Sequence, residues 1–280
     1  MNSKKTYPVV LSIAGSDSSG GAGIQADLKT FSALGVYGAT AITAITAQNT
    51  QGVHSQLALT PQIVYEQIVA VIDDIQPCVV KIGMLSNREI VSAVAEALSK
   101  YSIPIILDPV IVSSSGHRLL SIDAIETIKE RLLPMATLLT PNIPEMNALT
   151  NMPLTSDDEK METALWLMNY GANAILLKGG HEEGIEKRDI LYIKTENEVR
   201  SSYFSSPTIQ TKNIHGTGCS LSSAIAAFMA RGESLNDAVL KAKNFITDAI
   251  RYGADIEIGS GYGPINHGFN PLKMMINDFK

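Results

Sequence analysis

Apolar runs of strand length recur along the chain, and most are followed by a helical pattern after a short connection. Such alternation predicts a largely parallel sheet with helices covering both of its faces. No linker or break in composition interrupts the pattern, so residues 1–280 are predicted to form one domain. The predicted parallel strands are Val9–Ala14, Ala39–Thr46, Val79–Ile82, Pro104–Leu107, Ala136–Leu139 and Ala174–Leu177.

The composition allows a substantial core and argues against several classes of protein. Hydrophobic residues make up 45% of the 280 residues, and the net charge of −6 comes without any Lys/Arg run, which argues against a nucleic-acid surface. The apolar run near the N-terminus is too short for a signal peptide, and no later run approaches the ~18 residues of a membrane span. Cys78 and Cys219 show neither metal-ligand spacing nor a disulfide framework. These features predict a soluble, cytoplasmic protein.

The most informative local segment is Thr211–Cys219, which leads into a helix of small and apolar residues. Gly216 and Gly218 flank Thr217, a pattern typical of a tight turn whose backbone N–H groups face inward. A helix that begins at such a turn offers unpaired amides to an anion. Cys219 lies at this helix end, where a thiol ionises more easily than a free one. The alternative is a glycine-rich helix start with a buried cysteine.

A second glycine-rich loop, Gly15–Gly23, follows the first strand. Its Gly21-x-Gly23-x-x-Ala26 pattern loosely matches a dinucleotide fingerprint, which needs an acidic residue about 20 positions later. No Asp or Glu occurs between Asp27 and Glu66, so a nicotinamide site is excluded. The loop instead predicts close approach of a small ligand to the backbone, with Asp17 or Asp27 as polar contacts. A plain strand–helix turn is the alternative.

Polar side chains follow the next strands, where α/β sheets collect ligands. Gln48, placed in a loop after the second strand, can both donate and accept, as recognition of an aminopyrimidine edge requires. Asp108 directly follows a strand, a frequent position for Mg²⁺ or phosphate binding. The alternatives are a surface-loop residue for Gln48 and a turn cap for Asp108.

Two later strands show the same arrangement. Asn142 and Glu145 lie three residues apart at a helix start and can face one point, although a capping box would also account for Glu145. Lys178 follows the next strand beside two glycines. Ser113–His117 is small and polar and is a candidate flap. No Walker-type phosphate loop is present.

The segment after Lys178 is more polar than the strands that precede it. Asp189–Lys194 and Glu198–Phe204 predict a short hairpin, polar enough to lie at the periphery.

Taken together, these segments resemble the hydroxymethylpyrimidine/phosphomethylpyrimidine kinase family of the ribokinase superfamily. The match covers nearly the whole chain in the family's order. The matching segments are Ala14–Asp17, Gly20–Asp27, Ala47–Thr50, Lys81–Leu85, Asp108–Val110, Thr140–Glu145, Lys178–His181 and His215–Cys219.

The resemblance implies a ribokinase-like α/β fold, a mostly parallel central sheet in a three-layer α/β/α arrangement. It implies ATP-dependent phosphorylation of 4-amino-5-hydroxymethyl-2-methylpyrimidine in thiamin biosynthesis, and then of the monophosphate to the diphosphate. It also implies Mg²⁺ and a homodimer. No nucleic-acid or membrane partner is expected.

The resemblance also assigns residues to the pyrimidine. Gln48 is expected to read the ring edge, and Met84 and Val110 to pack on the ring. The loop at Gly15, or Asp27, is expected nearby.

A further set of residues is assigned to the nucleotide. Gly216–Gly218, centred on Thr217, are expected to form an anion hole. Asp108, Asn142 and Glu145 are expected to organise Mg²⁺, partly through water, and Lys178 to contact the nucleotide phosphates.

The adenine pocket has no motif of its own. The segment around Thr211 and the helix near Ala242 are the candidates.

Cys219 occupies the position where sugar kinases of the superfamily carry the aspartate that activates the attacking hydroxyl. A carboxylate there would repel an anionic monophosphate, whereas a thiol need not. We therefore hypothesise that Cys219 assists the first transfer and is merely permissive in the second.

Pyridoxal kinase activity is the alternative function. Members of this branch with a two-cysteine mechanism carry a second cysteine after Asp-Pro-Val, where this chain has Ser113. This difference favours the pyrimidine substrate.

Overall fold

A computed structural model describes residues 5–112, 116, 118–180, 184–196 and 198–278. The predictions made for Ser113–Ser115, His117 and His181 concern residues outside the described ones. Among the described residues, no helix combines the length and apolar character needed to cross a membrane.

The described elements alternate much as the sequence predicts. The helices are α1 Gly23–Ala33, α2 Pro61–Ile75, α3 Arg88–Leu98, α4 Ile122–Thr127, α5 Ile143–Thr150, α6 Asp157–Met168, α7 Thr217–Ala230 and α8 Leu235–Arg251. Helix α4 continues as a π-helical turn, Ile128–Leu132, and a 3₁₀ turn, Leu133–Met135. The strands are β1 Lys5–Thr6, β2 Val9–Asp17, β3 Tyr37–Asn49, β4 Gly52–Ala58, β5 Val79–Ile82, β6 Ile105–Leu107, β7 Leu138–Leu139, β8 Ala174–Leu177, β9 Glu186–Lys194, β10 Val199–Pro207 and β11 Asn277–Asp278.

In the described part of the chain, nine strands form the central sheet in the order β10-β9-β8-β7-β6-β5-β2-β3-β4. The six central strands from β8 to β3 pair in parallel. Strand β4 at one edge and the β9–β10 hairpin at the other run antiparallel. Strands β1 and β11 form a separate two-stranded ribbon.

Both faces of the sheet are buried, which explains the continuous apolar runs of its central strands. Leu107 of β6 packs against the layer formed by α2, α3, α4 and α6, whereas its neighbour Ile106 packs against α1, α7 and α8. Leu139 and Leu138 of β7 divide in the same way. The three-layer α/β/α prediction is confirmed.

One local prediction is wrong and another is only partly right. Strand β3 continues to Asn49 and turns back into β4, so Gln48 lies within a hairpin and not in a loop beyond the strand. The β9–β10 hairpin belongs to the central sheet, because β9 pairs with β8 and buries Ile190 and Tyr192 in the core. The predicted peripheral position therefore holds for β10, the edge strand of the sheet, but not for β9.

Candidate active site

A cavity of about 640 Å³ lies at the carboxyl ends of the parallel strands. It is lined by residues from the loop after β2, from the β3–β4 hairpin, from the ends of β6 to β8 and from the start of α7. The sequence-predicted site residues that line it are Gly15, Gln48, Met84, Val110, Asp108, Asn142, Glu145, Lys178, Gly216, Thr217, Gly218 and Cys219. The structure therefore brings the predicted substrate and nucleotide residues into one space.

A charged cluster forms one wall of the cavity. Asp108 follows β6 and Lys178 follows β8, and the Lys178 Nζ lies 2.8 Å from Asp108 Oδ1. Glu145, at the start of α5, places its Oε2 3.6 Å from the same ammonium. Thr140 and Ser222 donate hydroxyl hydrogen bonds to Asp108, at 3.2 and 3.1 Å, and so orient its carboxylate.

These charges shift one another's pKa values in different directions. Burial raises the pKa of Glu145 to about 7, against the opposing effect of Lys178. The pKa of Asp108 is lowered, because the attraction of Lys178 and Lys81 outweighs its burial. The pKa of Lys178 is raised, since Asp108 and Glu145 outweigh the burial that would lower it. Near neutral pH, Asp108 is therefore ionised and Lys178 is protonated, whereas Glu145 is close to its pKa.

Asn142 and Glu145 form a capping box at the start of α5. The Asn142 Oδ1 accepts from the Glu145 amide, and the Glu145 Oε2 accepts from the Asn142 amide, both at 2.8 Å. The capping interpretation is therefore right, and it is compatible with a site, because both residues also line the cavity. The cap fixes the glutamate where Lys178 can reach it.

The glycine turn before α7 interlocks with the glycine loop after β2. Gly216 has φ +78°, and a Cβ there would lie 1.8 Å from the Gly21 carbonyl oxygen. A Cβ on Gly21 would lie 2.3 Å from the His215 Cδ2. Both positions therefore require glycine, since no side chain fits between the two loops.

At the first turn of α7, where an anion hole is predicted, the backbone differs from the prediction in one detail. The Thr217 amide already donates to the Ile214 carbonyl oxygen at 3.2 Å. The next amides, of Gly218 and Cys219, lie in the first helical turn, where N–H groups have no intrahelical acceptor. An anion at this end would be met mainly by those two amides and by the helix dipole.

The prediction of an easily ionised Cys219 is wrong. Burial raises the pKa of this thiol to about 11; Lys81 opposes the rise, whereas Asp108 and Asp27 add to it. Cys219 therefore faces the cavity as a neutral thiol at physiological pH.

Asp27 does not line the cavity, and its predicted contact with the substrate is corrected. It lies fully buried, with both carboxylate oxygens 2.9 Å from the Lys81 Nζ. Ser12 and Ser223 also donate to it, at 2.5 and 2.6 Å. Since Ser223 is one helical turn after Cys219, this buried ion pair fastens the start of α7 to the sheet.

Thr211 is also absent from the cavity wall. Its hydroxyl donates to the Ala254 carbonyl oxygen at 2.9 Å and accepts from the Asn213 amide. Asn213 in turn donates to the carbonyl oxygens of Gly253 and Ile256. Thr211 thus braces the loop before the glycine turn, and its proposed contact with adenine is corrected.

Sequence reasoning missed part of the wall formed by α8. Ala242 itself is buried, but Ile246, Thr247 and Ile250, on the following turns, line the cavity. Lys243 lines it too, and its Nζ lies 2.7 Å from Asp189 Oδ2. The available signal was a lysine within the apolar stripe of α8.

Asp17 and His215 also contribute to the wall, although only Asp17 was predicted to contact a ligand. The His215 Nε2 lies 2.9 Å from Asp17 Oδ2. The two residues are 198 positions apart, so only the tertiary structure reveals the pair.

Comparisons with known proteins agree with this geometry. Residues 17–266 match the family described as phosphomethylpyrimidine kinase. The hydroxymethylpyrimidine/phosphomethylpyrimidine kinase of Rhizobium meliloti (strain 1021) is 48% identical over 260 residues, which cover 92% of this chain and 96% of the relative.

Two solved structures extend the comparison. Phosphomethylpyrimidine kinase from Clostridium difficile 630 has a TM-score of 0.75 at 44% identity and covers 86% of this chain and 99% of its own. Pyridoxal kinase from Staphylococcus aureus, in complex with AMP-PCP and pyridoxal, has a TM-score of 0.84 at 30% identity. That match covers 98% of this chain and 100% of the other.

Proposed function

The chain belongs to the phosphomethylpyrimidine kinase family, and we infer from this membership which roles the residues of its cavity have in the family's reaction. It is an ATP-using phosphotransferase of thiamin biosynthesis that phosphorylates hydroxymethylpyrimidine and then its monophosphate. The predicted family and activity are confirmed. The observation that carries the assignment of roles is the single cavity that holds Gln48, the glycine turn and the Asp108–Lys178 pair together.

A coupled kinase assay with three acceptors tests the function. We expect turnover with hydroxymethylpyrimidine and with its monophosphate, and much weaker turnover with pyridoxal. The high structural similarity to pyridoxal kinase makes that activity the second candidate. Pyridoxal turnover exceeding that of both pyrimidines would reverse the assignment.

We assign the acceptor end of the cavity to Gln48, Met84, Val110 and the backbone at Gly15. Gln48 offers a donor and an acceptor to a ring edge, and the two apolar side chains offer a surface for the ring. A Cβ at Gly15 would lie 2.7 Å from the Met84 Sδ, so glycine there keeps Met84 in place.

We assign the opposite end to the nucleotide. Ile246 and Ile250 of α8 provide an apolar wall suited to a purine ring. Lys178 faces the transferring phosphoryl group. The backbone amides of Gly218 and Cys219 stabilise the negative charge that develops on that group. Phosphoryl transfer depends chiefly on such positioning and charge stabilisation.

The carboxyl-rich wall also suits Mg²⁺. Protein-bound Mg²⁺ is usually held by one or two carboxylates, with water and substrate phosphates completing the octahedron. Asp108 and Glu145 provide two oxygen donors beside Lys178, so we propose that they hold the ion together with the nucleotide. When bound, Mg²⁺ neutralises phosphate charge.

The pKa of Glu145 predicts how Mg²⁺ use depends on pH. Since its pKa is raised to about 7, the carboxyl is largely protonated below that pH and ionises as the pH rises through it. We expect the apparent Mg²⁺ affinity to fall up to about tenfold per pH unit below this value. Magnesium titrations of the activity at several pH values measure this dependence.

The Glu145→Gln variant is the control. Its Mg²⁺ affinity is expected to be weaker at neutral pH and nearly independent of pH. A wild-type Mg²⁺ requirement that does not change across this range would contradict the proposed role of Glu145.

Cys219 is predicted to affect the two transfers unequally. As a neutral thiol it can contact the hydroxyl acceptor without repelling an anionic monophosphate. We expect Cys219→Ala to lower kcat for hydroxymethylpyrimidine by about tenfold or more. The second transfer should change by less than about threefold, because its phosphate nucleophile is already ionised. Separate single-turnover measurements of the two steps test this division, and equal losses would refute it.

We also propose a homodimer formed through the β3–β4 hairpin. Strand β4 is an edge strand, and Ile45 and Leu57 face each other across the hairpin with 49% and 65% of their surface exposed. Exposed edges of this kind favour pairing with another chain.

We expect Leu57→Asp to sediment as a monomer. Ile122→Asp, which changes another exposed isoleucine, is the control and should sediment like the wild type. A Leu57→Asp dimer would place the interface elsewhere.

We further propose that residues 1–280 fold as one domain and act in the cytoplasm. Cys78 and Cys219 are unpaired cysteines, as in a reducing compartment. A single calorimetric unfolding transition is expected for one domain.

A further inference from the structure

Three polar side chains form a chain of contacts on the cavity wall beside the proposed pyrimidine site. Asp17 Oδ2 lies 2.9 Å from His215 Nε2, and the same His215 nitrogen lies 3.3 Å from Gln48 Nε2. Gln48 Oε1 lies 3.1 Å from the Thr46 hydroxyl. The protons shared among these atoms determine which way the Gln48 amide faces.

Asp17 is an ionised acceptor in this arrangement. Its carboxylate accepts from the amides of Ser19 and Ala22, each at 2.8 Å, and from the Ser19 hydroxyl. These donors and His215 lower its pKa to about 2, against the effect of burial. Since the carboxylate carries no proton, the proton between Asp17 and His215 belongs to His215 Nε2.

This proton determines which end of the Gln48 amide, oxygen or nitrogen, can lie against the His215 ring. A protonated Nε2 is a donor, and an amide NH₂ group is also a donor, so the two cannot bond. Removing the proton from Nε2 would instead place its lone pair against the Asp17 carboxylate. A half-turn of the Gln48 amide resolves the conflict by exchanging its oxygen and nitrogen.

The half-turn also suits Thr46. The Thr46 hydroxyl donates to the Ser16 carbonyl oxygen at 3.0 Å, so its oxygen is available as an acceptor. After the half-turn the Gln48 NH₂ group donates to Thr46, and the Gln48 oxygen shares the single His215 Nε2 hydrogen with Asp17 in a three-centre hydrogen bond. No donor then faces a donor among the four side chains.

We propose that Asp17 and His215 are specificity-determining positioning residues, which hold the Gln48 amide with its oxygen toward His215 and its nitrogen toward Thr46. The inference rests on the proposed function in one respect, the role of Gln48 in reading the pyrimidine edge.

The fixed amide has a consequence for the substrate. One lone pair of the Gln48 oxygen and one N–H of its nitrogen remain for the ring edge. The pyrimidine amino group therefore faces the oxygen on the His215 side, and the adjacent ring nitrogen faces the N–H on the Thr46 side. A reversed amide would oppose donor to donor and acceptor to acceptor, and both bonds would be lost.

The backbone of Gln48 is held by the same loop that carries Asp17. The Ser18 hydroxyl accepts from the Gln48 amide at 2.8 Å and donates to the Gln48 carbonyl oxygen at 2.7 Å. The strand pairing also shifts by one residue between Ala47 and Gln48, and such bulges re-aim side chains. The loop after β2 thus fixes both the position and the orientation of Gln48.

The protonation of His215 can be tested without any substrate or variant protein. Long-range ¹H–¹⁵N correlation spectra of the wild-type enzyme identify which ring nitrogen of His215 carries hydrogen. We expect a protonated Nε2 whose hydrogen exchanges slowly with water. An unprotonated Nε2 would overturn the proposal.

Binding measurements then test the coupling to Gln48. We expect His215→Phe to weaken binding of hydroxymethylpyrimidine about tenfold by calorimetry, because one flank of the amide is released. In the Gln48→Ala background the same substitution should change the affinity less than about twofold, since a residue acting through Gln48 has nothing left to orient. Tyr252→Phe, which changes an exposed residue away from the cavity wall, is the control and should bind like the wild type.

The outcomes separate this inference from the proposed function. Equal losses from His215→Phe in both backgrounds would show that His215 acts independently of Gln48 and would overturn the inference. A wild-type protein that does not bind the pyrimidine would instead refute the proposed function, while the state of His215 would still be read from the spectra.

Discussion

Gly216→Ala is expected to lower kcat/KM for both phosphoryl transfers by about two to three orders of magnitude, the loss typical of a damaged oxyanion-type site. The added Cβ would lie 1.8 Å from the Gly21 carbonyl oxygen, a distance that no side-chain rotation can relieve. The two loops would have to separate. The amides at the start of α7 would then move away from the transferring phosphoryl group.

A second cost comes from the backbone itself. Gly216 has φ +78°, a conformation that costs an alanine about 1 kcal/mol or more. Gly232 also has a positive φ, +91°, but an added Cβ there meets nothing within 4 Å. Gly232→Ala is therefore the matched control, because it carries the backbone cost without the collision.

Steady-state kinetics and thermal unfolding of the two variants distinguish the effects. Both should lose some stability, and only Gly216→Ala should lose most of its activity. Comparable activity in the two variants would show that the contact between the loops does not position the anion hole.

The layout of the sheet could be predicted from the sequence because its central strands are buried on both faces. Such strands are continuous apolar runs, and their ends are marked by the first polar residue, as at Asp108 and Lys178. Since parallel strands share one carboxyl edge, those polar residues had to meet. This explains why most of the predicted site residues line one cavity.

The wrong predictions about site residues concern the direction in which a side chain faces. Asp27 follows the glycine loop, but it lies on the same stripe of α1 as Ile24 and Phe31, which faces the sheet. Lys81 likewise interrupts an apolar strand. Two opposite charges, each set in an apolar pattern, indicate a buried ion pair, and this signal was available in the sequence.

Other features depend on the assembled structure. The pKa of Cys219 reflects a balance between burial and three nearby charges contributed by separate elements. The contact between Asp17 and His215 joins residues that are 198 positions apart in the chain. Local patterns carry no information about either, so helix position alone gave the wrong direction for the thiol.

Lys178→Met is predicted to have the second large effect, a fall in kcat of about a thousandfold, because the positive charge facing the transferring phosphoryl group is lost. The substitution also leaves Asp108 buried without the ammonium that lies 2.8 Å away. Removing one partner of a buried pair costs about 3–5 kcal/mol of stability. Lys178→Met should therefore be both inactive and less stable.

Two further variants separate these effects. Lys129→Met removes another buried lysine, which does not line the cavity and whose partner Glu126 is 65% exposed, so it should lose less stability than Lys178→Met and keep its activity. In Lys178→Met/Asp108→Asn the stranded carboxylate is neutralised, so stability should partly recover while turnover stays low. Recovery of turnover along with stability would mean that Lys178 serves the fold alone, because a lysine that stabilises transferred charge cannot be replaced by removing its partner.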